Sequence, residues 1–188
     1  VVMVRDPLSV MVSWKKAPYM LAPCLSREME HFNQPCEAFL GWDRDGQHDV
    51  AHNVQFSSTM EVYNRYMRMH RALQAERKLH ATVLATYEDM VFSPADIINE
   101  VGVALGWEWI LSVQVFGSPS KFHGSPIGRE QALEKLRSRS WLKEIPSDLA
   151  RRVLCRGFDK ESFADIVDNK YDAGSPSKSY SADCEGYA

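Results

Sequence analysis

The chain opens Val1-Val2-Met3-Val4-Arg5-Asp6-Pro7-Leu8-Ser9-Val10-Met11-Val12-Ser13-Trp14, and the reading of this stretch decides the fold. Val1 to Val4 is an apolar, mostly β-branched run without polar alternation, the pattern of a strand buried on both faces of a parallel sheet. Arg5 ends the run. Asp6 suits a helix N-cap, and Pro7 suits the first helical position, where a missing N–H costs nothing, so a helix is expected from Pro7. An Arg at the carboxyl end of such a strand, followed by a helix N-terminus, puts a guanidinium and a positive dipole end where open α/β sheets bind ligands. A phosphate suits that geometry.

Working outward, Lys15-Lys16 fit a last helical turn, and Pro18 and Pro23 prevent its continuation. Residues 17–57 are expected to form a long irregular insert, with Pro18, Pro23, Pro35, Gly41 and Gly46 among Tyr19, Phe32, Phe39 and Trp42. Connections of this length are binding loops or variable inserts, and both readings stand here. Two metal-like patterns lie inside it. Asp43-Arg44-Asp45-Gly46 lacks the spaced acids and closing Glu of a calcium loop. His48 and His52 have the i, i+4 spacing of a metalloprotease helix, but Asp49 stands where that motif has its Glu, and no amphipathic run holds the segment helical. No metal site is expected.

Ser58-Thr59-Met60-Glu61 fits a capping box, and Met60, Tyr63, Met67 and Leu73 recur at helical spacing. Thr82 to Tyr87 is a second buried strand, ending in Glu88-Asp89-Met90. Ser93-Pro94 starts a helix that is expected to bury Ile97, Ile98, Val101 and Leu105 and to stop at Gly106. A short strand is expected around 113–116. Ser118 to Arg129 is a loop rich in Gly, Pro and Ser, leading into a helix with Ala132, Leu133 and Leu136. Trp141-Leu142 precedes a Ser147-capped helix using Leu149, Val153 and Leu154. After a break at Gly157, a last helix from Asp159 uses Phe163, Ile166 and Val167. Residues 172–188 have no periodicity and are expected to be a disordered tail.

With 188 residues and 45% hydrophobic content, the chain can bury one core and needs no second domain. A net charge of -3 and a pI near 6.1 argue against a protein that coats nucleic acid, so a phosphorylated ligand needs a local basic site. No apolar run is long enough to span a bilayer. The chain begins Val-Val rather than Met, and its N-terminus is expected to be missing. Cys24, Cys36, Cys155 and Cys184 have no zinc-like spacing. Cys24 can bridge to Cys36 and Cys155 to Cys184 in an oxidising compartment, while free thiols are equally allowed in a reducing one.

Arg5-Asp6-Pro7 followed by Ser13 resembles the 3′-phosphate-binding segment of the sulfotransferases that use 3′-phosphoadenosine 5′-phosphosulfate (PAPS). Leu84 to Trp107 is similar to a second pattern of that family: a strand, Tyr-Glu-Asp-Leu, a short acidic turn, a Pro, and a helix ending Leu-Gly. The resemblance runs in order over residues 1–170 and implies an α/β domain over 1–171. That domain is part of a P-loop-type parallel sheet flanked by helices, with a helical C-terminal region. It implies PAPS as co-substrate, Arg5 and Ser13 on the 3′-phosphate, Tyr87 beside the adenine, and Lys121 and Arg129 in a late basic loop over the nucleotide. The acceptor is a hydroxyl or amine on a small molecule or glycan, and cytoplasmic and Golgi-lumenal placements are both open. The family's phosphosulfate loop and catalytic base precede the Arg motif, so the chain is expected to lack both and not to turn over alone. Two other classes remain. One is a degenerate binding module of the same fold, and the other is a different P-loop nucleotide phosphotransferase.

Overall fold

Two strands separated by some eighty residues, and the tyrosines that pin one of them, set the architecture. The computed structural model describes residues 1–40, 43–44, 47–48, 52–75, 83–107, 128–159, 161 and 184. In chain order these form β1 (Val2–Val4), α1 (Pro7–Lys16), α2 (Ala22–Leu25), β2 (Cys36–Leu40), β3 (Asp43–Arg44), β4 (Gln47–His48), β5 (His52–Phe56), α3 (Thr59–Ala75), β6 (Leu84–Thr86), α4 (Tyr87–Phe92), α5 (Pro94–Ala104), α6 (Arg129–Ser138) and α7 (Asp148–Gly157). Short 3-10 turns lie at Tyr19–Leu21, Met29–His31 and Ser140–Glu144. Helix predominates among the described residues. Their strands form three two-stranded sheets, of which β1 with β6 is parallel and the other two are antiparallel.

β1 and β6 pair with Val2 opposite Leu84 and Val4 opposite Thr86. Val4 is buried, but Met3 is 45% exposed, so β1 is covered on one face by the described residues rather than on both as its apolar run suggested. α1 begins as its sequence requires: the Asp6 carboxylate accepts a hydrogen bond from the Ser9 amide at 2.8 Å, and Pro7 occupies the first turn. Leu8, Val10, Met11 and Val12 carry α1 into the core.

The described residues of the stretch 17–57 are more ordered than its composition suggested. A disulfide joins Cys24 to Cys36, with Cα atoms 5.2 Å apart, and Cys24, Leu25, Met29 and Phe32 are buried around it. β2 and β5 then pair antiparallel, with Cys36 opposite Phe56 and Leu40 opposite His52. A cross-link between residues this close supplies order that no periodic pattern announces. His48 and His52 fall in separate strands, so the helical i, i+4 pair does not form.

α3 starts at its expected cap, with the Glu61 amide donating to Ser58 Oγ at 3.1 Å, and buries Met60, Tyr63 and Met67. Asn64 reaches across to α7. Its amide nitrogen donates to the Gly157 carbonyl at 2.8 Å, and its oxygen accepts from the Asp159 amide at 2.9 Å, satisfying backbone groups that a helix end leaves open. α3 and α7 come so close that a Cβ on Gly157 would sit 2.8 Å from Met60 Cβ.

Two helices turn differently from their sequence reading. α5 stops where expected, with Gly106 at φ +72 and the Trp107 amide bonded to the Gly102 carbonyl at 2.9 Å. Ile97 is its buried anchor, whereas Leu105 is 50% exposed. In α7, capped by Ser147 Oγ on the Ala150 amide at 3.1 Å, the buried face is Ala150, Leu154 and Cys155, and Leu149 is 51% exposed. Cys155, on that face, is bridged to Cys184, with Cα atoms 5.4 Å apart. Cys184 is the one described residue of the stretch 172–188, and it is buried. The expected strand near 113–116 and the expected helix with Phe163, Ile166 and Val167 lie outside the described residues.

Two stability effects follow from this packing. Gly157→Ala is expected to destabilise the fold by about 1–3 kcal/mol through the forced shift of Met60, read from the midpoint of urea unfolding. An unchanged midpoint would show that the contact relaxes freely. Replacing Cys24 and Cys36 together by Ala is expected to cost about 3 kcal/mol, the loop-closure value for so short a cross-link, and a calorimetric melt measures it.

Candidate anion-binding site

Because β1 and β6 run parallel and in register, the chain leaves both at the same end of the sheet, Arg5 beside Tyr87. The Arg5 guanidinium carbon lies 4.7 Å from the centre of the Tyr87 ring, a cation–π contact between half-buried groups. Arg5 Nε is buried and has no hydrogen-bond partner. The backbone beneath is held by α3: the Tyr63 hydroxyl donates to the Arg5 carbonyl at 2.8 Å, and the Tyr66 hydroxyl to the Met3 carbonyl at 3.1 Å.

Two acids share the corner. Asp6, the cap of α1, is buried, and burial pushes its carboxyl up from its ordinary value against the Ser9 amide and the charges of Arg139 and Arg5. Glu88 is 5% exposed, and its Oε1 has no hydrogen-bond partner. Burial, with a smaller push from Asp6, raises it from 4.5 to about 7, against its own amide, the Arg5 charge and the Asp6 amide. Arg139, in a left-handed turn at φ 50, faces Asp6, and burial draws its value down. The corner thus sets two half-buried guanidinium groups beside two buried carboxyl groups rather than forming an open cationic surface.

Of the residues expected to form a site, the fold brings Arg5 and Tyr87 together. Ser13 is exposed on α1, six residues past Pro7 and so about 9 Å further along the helix axis. Arg129 is half-buried at the start of α6, where it donates to the Val91 carbonyl of α4 at 3.3 Å and lies 4.0 Å from Glu130. It clips two helices together. Lys121 and most of its loop lie outside the described residues.

The strand expected to run through Tyr87 ends at Thr86, and the acidic turn is the helix α4, closed by a capping box in which Asp89 and Thr86 exchange two hydrogen bonds of 3.0 Å. Asp89 is therefore spent on the helix start. Glu88, one residue earlier, is the group that sequence reasoning missed, together with Ser9, whose buried hydroxyl has no partner, and Arg139. Ser9 stands three residues after an Asp-Pro cap, a legible inward position. Nothing local marks Arg139, which meets Asp6 only through tertiary packing.

A cavity of about 230 Å³ lined by Leu142, Ile145, Ser147, Asp148 and Arg151 uses none of the expected site residues. Among the described residues, no group of three or more His, Cys, Asp or Glu could hold a metal ion, and no helix is long and apolar enough to cross a membrane. Comparisons with protein families, with curated proteins and with solved structures find no match to this chain.

Glu88 makes stability depend on pH. The folded carboxyl keeps its proton to about 7, while the unfolded one releases it near 4.5, so the stabilisation by the neutral form is full below 4.5 and is lost as pH rises through about 7. Relative to Glu88→Gln, the wild type is expected to lose on the order of 3 kcal/mol between about pH 4.5 and pH 7.5. Urea titrations of both proteins across that range measure it. A stability difference that does not move with pH would contradict the assignment.

Proposed function

We propose that the chain supplies the 3′-phosphate and adenosine side of the donor site of a PAPS-dependent sulfotransferase. In this reading β1 and β6 are two strands of a larger P-loop-type parallel sheet. The low stability of an isolated strand pair supports that larger sheet. The observation that carries the reading is the juxtaposition of Arg5 and Tyr87, two residues of separate motifs, at the carboxyl ends of paired parallel strands.

The residues fit the nucleotide on two counts. The Nε donor of Arg5, buried and unpartnered, is suited to an oxygen of a phosphate, and the half-buried Tyr87 ring offers a face for a base. The donor, when bound, supplies a sulfuryl group. Transfer breaks its sulfur–oxygen bond to the 5′-phosphate, forms one to the acceptor and sends the acceptor proton to a base. In that reaction Arg5 and Ser13 orient the donor through the phosphate on the opposite side of the ribose, a positioning role. Tyr63 keeps the Arg5 backbone in place. Arg129, already bonded to Val91, serves the site by fixing α6 against α4.

Arg5→Ala is expected to weaken binding of adenosine 3′,5′-bisphosphate by about 2 kcal/mol, roughly thirtyfold, as for a lost charged hydrogen bond. Isothermal titration calorimetry on the full chain measures it. Equal affinity in the two proteins would remove Arg5 from the site and the reading with it.

A further inference from the structure

Three buried polar atoms at or next to the end of the β1–β6 pair lack hydrogen-bond partners: Arg5 Nε, Ser9 Oγ and Glu88 Oε1. Buried polar atoms are nearly always paired, and a group of orphans at one end of a sheet is what a site looks like before its ligand supplies the missing bonds. Glu88 matters most among them. A carboxyl group inside an anion site opposes its ligand when ionised and assists it when neutral, because the neutral form has an O–H to donate.

We propose that Glu88 is a binding residue of the anion site that acts as the neutral acid, donating a hydrogen bond to the phosphate held by Arg5, so that binding takes up a proton. This rests on the donor-site reading above and adds to it a residue and a proton. The charged groups around Glu88 allow it. Asp6, on the β1–α1 corner, repels its ionised form and Arg5 attracts it. Arg139 faces Asp6 rather than Glu88. From α6, Arg129 is engaged with the Val91 carbonyl and Arg137 lies 6.0 Å from the Phe92 ring, both toward the far end of α4. Within α4, Asp89 is held by the Thr86 amide. Its own amide is the main force favouring ionisation and the Arg5 charge comes next, and an incoming phosphate neutralises the Arg5 part. Burial already lifts the carboxyl to about 7, so the neutral form is abundant near neutral pH.

The test is calorimetric titration of adenosine 3′,5′-bisphosphate into the full chain and into Glu88→Gln between about pH 6 and pH 8, each in two buffers of different ionisation enthalpy. If only the neutral form binds, the competent fraction falls roughly tenfold over that range, and the apparent Kd of the wild type rises by the same factor relative to the variant. The ligand's own titration is common to both proteins and cancels. At pH 8, where phosphate monoesters are fully ionised, the wild type is expected to take up close to one proton per ligand and the variant none. That proton count is made on the wild type, so it stands even if the variant fails to fold. Binding that is equal in the two proteins at every pH, without proton uptake, overturns the proposal and leaves the donor-site reading intact. Absence of binding at every pH in the wild type overturns both.

Discussion

The register of β1 against β6 is the constraint on which the rest of the structure depends. With Val4 opposite Thr86, the two chains turn away from the sheet at the same level, and Arg5 meets Tyr87 and Glu88. A slip of one residue would send every side chain to the other face and separate these groups. A parallel pair of three residues each has little intrinsic stability. Its position is fixed from outside, by the hydroxyl groups of Tyr63 and Tyr66 on the Arg5 and Met3 carbonyls and by the two helices that leave the strand ends, α1 and α4, each capped at its first turn.

Charge in this corner is set by burial more than by pairing. Asp6 satisfies a helix terminus, a role worth about 1 kcal/mol that any small polar cap could fill. It also lies beside Arg5, so the positive end of α1 already has an anion of the protein's own. What a ligand phosphate can use is therefore the guanidinium of Arg5 rather than the α1 amides. Glu88 has a different position. Leaving its Oε1 buried and unpaired costs about 1–3 kcal/mol, and its neutral form lowers that cost by removing the charge. A hydrophobic residue of similar size would avoid the cost, so the carboxyl is explained better by what it meets there than by the fold.

Local chemistry was legible where the signal was local. The caps at Asp6, Ser58 and Ser147 and the stop at Gly106 are each written in one to four residues, and the structure has them. The face of a helix was less legible, because which stripe is buried depends on partners. Leu149, Val153 and Leu154 have the spacing of a core stripe, and Leu154 is buried as expected, whereas Leu149 is exposed and Ala150 and Cys155 complete the buried face of α7. The stretch 17–57 was legible only in part: the Cys24–Cys36 bridge was one of two options its cysteines allow, whereas the β2–β5 ladder has no short-range periodicity to mark it. In the candidate site, Arg5 and Tyr87 stand out by motif, whereas Glu88 reads only as one of the acids at the end of a strand. Its importance lies in desolvation, a property of the folded surroundings that sequence does not carry.

The corner is also tied to the end of α7 through a single turn of α3. Tyr63 bonds the Arg5 carbonyl with its hydroxyl and sets its ring edge-on against Phe158, 5.3 Å between centres. The adjacent Asn64 holds Gly157 and Asp159, and Met60, one turn earlier, fills the space that the missing Gly157 side chain leaves. The end of α7 and the end of β1 are thus attached to neighbouring residues of one helix, with no flexible segment between them. Well-packed interiors transmit displacement rather than absorb it, so a shift of α7 moves the Tyr63 hydroxyl and with it the backbone that aims Arg5. Cys155, in the same helix, adds a covalent tie from α7 to Cys184.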